Sequence, residues 1–470
     1  MKGIYRASGI LASAILFSLL LPVYQAIAID TVSVGSFSVN FHNTGDVLKA
    51  SNTVGTGTQD WTSDQKDAVI TSLNILNNSF SNTPANPVKV GVAFTDQLPT
   101  GTLGSTSSRL FLFNNEIITA AELKWREEFP LSTPADSMDI AFLVNANATF
   151  SFGDGIPATS QTLDFQSVIT HEVAHGLGIT SSYSSASGHS AFGLTRYDSF
   201  LKDINGNVAK AGTFGDPNSL AVIGQKGDLF WTGQNANSTY GGNTPLFIHP
   251  SLFLSGSSIS HLFNPGEIQY FQLQGIEHSR APNKLLLDMF RDMGWSINST
   301  FYDAFGPTFY RDATAINYSD TYSSSVDYVT GLNVHGNGNI VTHSGSITTG
   351  GTVANGIRVT GILNRLDITG QVHSTGDFSQ SVYVTGVDNI INHSGTVTAT
   401  GNESIGIFTV DATRTRINHS GTTDAGSGLT AIHMNQLDLF ATLPNELNIM
   451  NGSVIVGDIF NLDVNQDAEM

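Results

Sequence analysis

Five aliphatic residues, Leu332, Ile357, Val382, Ile407 and Ile432, recur at intervals of 25 in the last third of this chain. Val334, Val359, Val384, Thr409 and Met434 follow two residues behind them, and Gly345, Gly370, Gly395 and Gly421 form a third, nearly in-phase column. A period of this size constrains folding strongly, because one unit is too short to bury a core alone and must stack on its neighbours. Short Val, Ile and Thr runs turning at Gly and Asn predict two or three strands per unit, with the aliphatic columns inside. The expectation is an all-β, right-handed parallel β-helix over residues 331–470, with 301–330 as linker or start of the solenoid. His343, His393 and His419 recur in His-Ser-Gly at the coil turns, where packing or backbone geometry is the expected role.

A chain of 470 residues exceeds what one core usually serves, so a second domain is expected before the repeats, over residues 29–300. The net charge of −19, with only 20 Lys and Arg, argues against nucleic acid as a partner. The absence of cysteine excludes disulfides, iron–sulfur clusters and thiol nucleophiles. Residues 1–28 read as a signal peptide: Lys2 and Arg6, an apolar stretch over 10–23, then the small-x-small site Ala26-Ile27-Ala28. No later segment is apolar and long enough to span a bilayer. The expected location is secreted or at the cell surface.

Residues 29–300 show a mixed α/β pattern. Val69, Ile70, Leu73 and Leu76 predict a helix over 63–76, capped by Thr62 or Ser63. Residues 87–96 and 139–146 read as strands, and residues 284–295 as an amphipathic helix ended by Gly294. Between them lies His171-Glu172-Val173-Ala174-His175, on a predicted helix that Asp164 is placed to cap. Residues four apart share one helix face, so both imidazoles reach one ion, zinc being the metal suited to them. Glu172 is adjacent to the first ligand and is placed to take a proton from the water that the ion activates.

His171-Glu172-x-x-His175-x-x-Gly178 resembles the metzincin signature, in which the glycine turns the chain toward a third ligand. Here that third position is Ser181, a poor zinc ligand. The order Ser260-His261, then Asn264-Pro265-Gly266-Glu267, then a helix ending Arg291-Asp292-Met293-Gly294-Trp295 resembles leishmanolysin-like metzincins, as do Arg196-Tyr197-Asp198-Ser199-Phe200-Leu201 and Phe230-Trp231-x-Gly233. The resemblance spans roughly residues 140–297. It implies an α+β metzincin-like peptidase domain with His261 as third zinc ligand, while His189, Asp198 and His278 also lie within loop reach. It places Ile276 where the methionine of the Met-turn is expected. It further implies that the strand over 139–146 borders the cleft and pairs with an extended substrate. Asp203-Ile204-Asn205-Gly206-Asn207 resembles part of a Ca2+ loop but lacks the downstream bidentate Glu, and an Asn-Gly turn is the simpler expectation.

The repeats resemble the passenger region of Gram-negative autotransporters, although no barrel-sized segment follows them. The leading expectation is an exported zinc endopeptidase, with His171, His175 and His261 as ligands, Glu172 as general base and a protein or peptide as substrate. A surface adhesin or structural solenoid with an inactive peptidase-like domain is the alternative. Ser181 and Ile276 favour that alternative, and the intact His171, Glu172 and His175 weigh against it. A zinc hydrolase acting on a bond other than a peptide is a third reading that the motif leaves open.

Overall fold

The computed structural model describes residues 29–155, 162–185, 188–189, 193–208, 229–246, 259–263, 279–436 and 444–463. The expected signal peptide, His278 and Ile276 lie outside them. Among the described residues, no helix is long and apolar enough to cross a membrane.

The N-terminal part is built on one mixed sheet. Its strands are β1 (Asp30–Val34), β2 (Phe37–His42), β3 (Val88–Thr95), β4 (Gly104–Ser108) and β5 (Ile140–Asn145), ordered β1-β2-β3-β5-β4. The pairs β2·β3 and β3·β5 are parallel, and β4 closes one edge antiparallel to β5. Helix α1 (Ser63–Ser79) opens with a capping box between Thr62 and Gln65. It is followed by α2 (Ala120–Trp125), α3 (Phe165–Gly176), α4 (Gln234–Tyr240) and α5 (Lys284–Asp292).

Strand β5 is apolar on both faces because both are covered. Ile140, Phe142 and Val144 join Phe41, Val90, Leu73, Phe165 and Val173 in the main core, whereas Ala141 and Leu143 pack with Leu48 and Met138 on the opposite side. The resemblance implied a strand at the cleft edge, with an interior strand as the alternative, and the structure shows an interior strand. All six residues of β5 are buried, and it is hydrogen-bonded on both sides, to β3 and β4. The edge belongs to β4, whose residues Gly-Ser-Thr-Ser-Ser are all partly exposed.

From Thr308 the chain coils into a parallel β-helix with three faces, one of seven strands and two of six. The sequence columns are its inner ladder. Leu332, Ile357, Val382, Ile407 and Ile432 pair in register from coil to coil, as do Val334, Val359, Val384, Thr409 and Met434. The glycine column marks the tightest approach: a Cβ on Gly370 would stand 2.2 Å from the Gly345 carbonyl oxygen, and one on Gly395 2.1 Å from that of Gly370. The step from Gly395 to Gly421 is one residue longer, and the register shift between Thr385 and Val387 absorbs it. Buried asparagines run along one corner. Asn339 N–H donates to Asn364 Oδ1 and Asn364 N–H to Asn389 Oδ1, both at 2.9 Å, so each side chain satisfies an amide of the preceding coil.

The two halves share apolar surface. Leu287 of α5, Phe301 and Phe305 pack with Val329 and Ala354 of the first coils, and Tyr240 of α4 stacks on Tyr310 at 5.1 Å.

Candidate metal centre

Helix α3 starts at Phe165, with Asp164 as N-cap accepting from Ser167 N–H at 2.9 Å. Leu163 precedes the helix in a short parallel bridge to Phe150 rather than extending its apolar stripe. Asp164 also receives Arg280, whose Nη2 lies 2.6 Å from Oδ1 with both side chains buried. Arg280 further donates to the carbonyls of Gly153, Asp154 and Gly155. One guanidinium thereby ties the loop before α3, the cap of α3 and the segment leading into α5. After Gly176 the chain turns at Gly178, with φ +112° and a carboxyl of Glu122 so near that a Cβ would stand 2.7 Å from its Cδ. Glycine is required there on both counts.

The turn brings a carbonyl to the far side of the His175 ring. His175 Nδ1 lies 2.6 Å from the Ile179 carbonyl oxygen. A carbonyl accepts and never donates, so Nδ1 carries the hydrogen in the neutral ring and Nε2 presents a lone pair. Burial holds His175 below the usual imidazole range, against the opposing pull of that carbonyl. The neutral, ligand-ready form is therefore favoured.

His171 Nε2 and His175 Nε2 are 3.1 Å apart, and His261 Nε2 lies 3.1 Å from the first and 3.2 Å from the second. His171, His175 and His261 are the one group of three or more metal-ligating side chains found among the described residues. The set fits a zinc-sized ion: bonds of about 2.0–2.1 Å in a tetrahedral arrangement separate nitrogen donors by about 3.3 Å.

Glu172 is buried beside this triad. Thr106 Oγ1–H, from edge strand β4, donates to its Oε2 at 2.8 Å. Burial pushes the carboxyl up to about 7, with the Thr106 bond acting in the opposite direction. Strand β4 passes so close that a Cβ on Gly104 would stand 2.9 Å from Glu172 Cγ. Nothing in the local sequence around Gly104 or Thr106 signals this role; it arises from the pairing of β4 with β5.

The other candidates have separate fates. The buried Asp198 carboxylate is engaged by Ser181, Ser182 and Thr195. His189 sits in the two-residue strand Gly188–His189, and its side chain lies outside what the structure describes. The Asp203 carboxylate is taken up by its own turn, accepting from Asn205 N–H, Asn207 N–H and Asn207 Nδ2–H. His343 and His393 end strands with buried rings, Nε2 near the carbonyls of Gln371 and Thr422 in the next coil. No protein-family model matches the chain, and no curated protein matches its sequence.

Proposed function

We propose that this chain is a zinc-dependent endopeptidase of the metzincin type, exported and joined to a β-solenoid. The convergence of His171, His175 and His261 nitrogens beside a buried, hydrogen-bonded Glu172 carries this reading. The three imidazoles would hold a zinc ion, which would supply Lewis acidity and make a water molecule acidic near neutral pH.

The remaining chemistry belongs to the chain. Glu172 accepts the water's proton at Oε1 or Oε2 and returns it to the nitrogen of the leaving amine, so its carboxyl ends the cycle unchanged. Thr106 restricts that carboxyl to one orientation. Strand β4 has its outer side unpaired among the described residues, so an extended peptide is aligned there by strand addition. Its polar side chains leave the main-chain groups to do the binding.

The full chain is expected to carry about one zinc. Glu172→Gln is expected to keep that zinc while cleavage of an unfolded protein substrate drops by roughly 10²–10⁴-fold. Metal analysis paired with a casein-type assay reads both. A chain that takes no zinc sinks the proposal and leaves an exported scaffold; full activity in the Gln variant removes Glu172 from the role of base.

A further inference from the structure

Ser181 occupies the position where the shorter metzincin spacing has its third ligand, and its hydrogen bonds lead to the histidine that replaces that ligand. Asp198, fully buried, accepts from Ser181 Oγ at 2.6 Å, from Ser182 N–H at 2.9 Å and Oγ at 2.6 Å, and from Thr195 N–H at 3.0 Å and Oγ1 at 2.9 Å. Five donors on one carboxylate make a rigid knot. Two hydrogen bonds leave the knot toward His261. Ser181 N–H donates to Ser260 Oγ at 3.0 Å, and Tyr197 OH, next to Asp198, donates to the Ile259 carbonyl oxygen at 2.8 Å.

Both bonds land on the two residues just before the third histidine. The second lands on a strained one: Ile259 is fully buried with φ +80°, a conformation that a β-branched side chain adopts only where its surroundings impose it. Ile259 and Tyr197 are both in the main core. The strain is thus held by the same packing and bonding that anchor the knot.

We propose that Asp198 is a positioning residue for the metal centre, holding His261 against the two helix histidines through Ser181–Ser260 and Tyr197–Ile259. On this account, the chain distance between His175 and His261 is bridged by a clamp that grips the backbone entering the third ligand. Mutations in the clamp alter the metal without touching it.

The proposal rests on the zinc reading, and the test separates the two. Zinc affinity of the full chain is measured by competition with a chromophoric chelator, and the visible spectrum of the Co2+-substituted protein reports ligand geometry. Asp198→Asn, Tyr197→Phe and Ser260→Ala are each expected to weaken zinc binding about 10–100-fold, the range typical for loss of outer-shell support, and to alter the Co2+ bands. Ser260→Thr, which restores a hydroxyl, should recover affinity. Should Asp198→Asn fail to fold, the two milder variants carry the test. Wild-type chain without affinity for zinc refutes the peptidase reading itself. Wild-type affinity retained in Tyr197→Phe and Ser260→Ala, with unchanged Co2+ bands, overturns the positioning role alone, even if melting temperatures fall.

Discussion

Glu172 is held in a protonation balance that pH should expose. In the metal-free protein burial pushes it up to about 7, above the ordinary carboxylate value, so the fold binds its proton more tightly than the unfolded chain does. The sign follows from linkage. Its contribution to stability is fully present below the unfolded pKa and is lost as pH rises through about 7. Glu172→Gln removes the buried charge, so chelated variant protein should melt several degrees above chelated wild type at pH 8 and near it at pH 4.5. A calorimetric scan at the two pH values reads the difference; equal gaps at both would contradict it. Thr106 works in the opposite direction, and Thr106→Val should move the acid limb of the peptidase pH profile upward.

At the scale of elements, the helix that carries the motif depends on one buried pair. Asp164 caps α3 and receives Arg280, so Asp164→Ala loses a cap and leaves a guanidinium buried without its carboxylate. Removing one partner of a buried pair costs about 3–5 kcal/mol. Thermal melts should place the variant at least about 6 °C below wild type, and a smaller drop would show that the carbonyls of Gly153, Asp154 and Gly155 suffice for the cation.

Much of this layer was legible beforehand. The capping signal at Thr62, the alternation over 87–96 and the apolar run over 139–146 became α1, β3 and β5, because local pattern and tertiary burial agree there. The edge strand was not legible. Gly-Ser-Thr-Ser-Ser reads as loop by composition and is a strand because β5 offers it an unpaired side. The pair His171 and His175 follows from helical spacing, but His261 is 86 residues from His175, and spacing cannot rank candidates at that range. Asp198, a lesser candidate ligand by position, has its carboxylate engaged by serine and threonine donors.

For the whole molecule, the two halves have different vulnerabilities. The proposed metal centre exposes the N-terminal half to chelation, and the buried histidines expose the solenoid to acid. His343, His393 and His419 are buried in the coil interior, and burial holds all three below the usual imidazole range, His419 at about 4 with the neighbouring His393 contributing. Tyr318 stacks on His343, His419 faces His393 at 4.8 Å, and none of the three forms an ion pair with a carboxylate among the described residues. Their folded pKa values are depressed, so the stability they support is present above about 6.5 and lost as pH falls toward about 4. Strand circular dichroism should melt at markedly lower temperature at pH 4.5 than at pH 7. Ile368 fills the same column between His343 and His393, so His393→Ile should flatten that dependence.

Each coil of the solenoid pairs with its neighbours, and the N-terminal half packs on the first of them. Duplicating a single 25-residue unit beyond the docking coils would therefore lengthen the molecule by one strand spacing, about 4.8 Å, without disturbing the chemistry at the other end. Reach is quantised here, and a gene that copies one unit obtains a longer arm carrying the same N-terminal half.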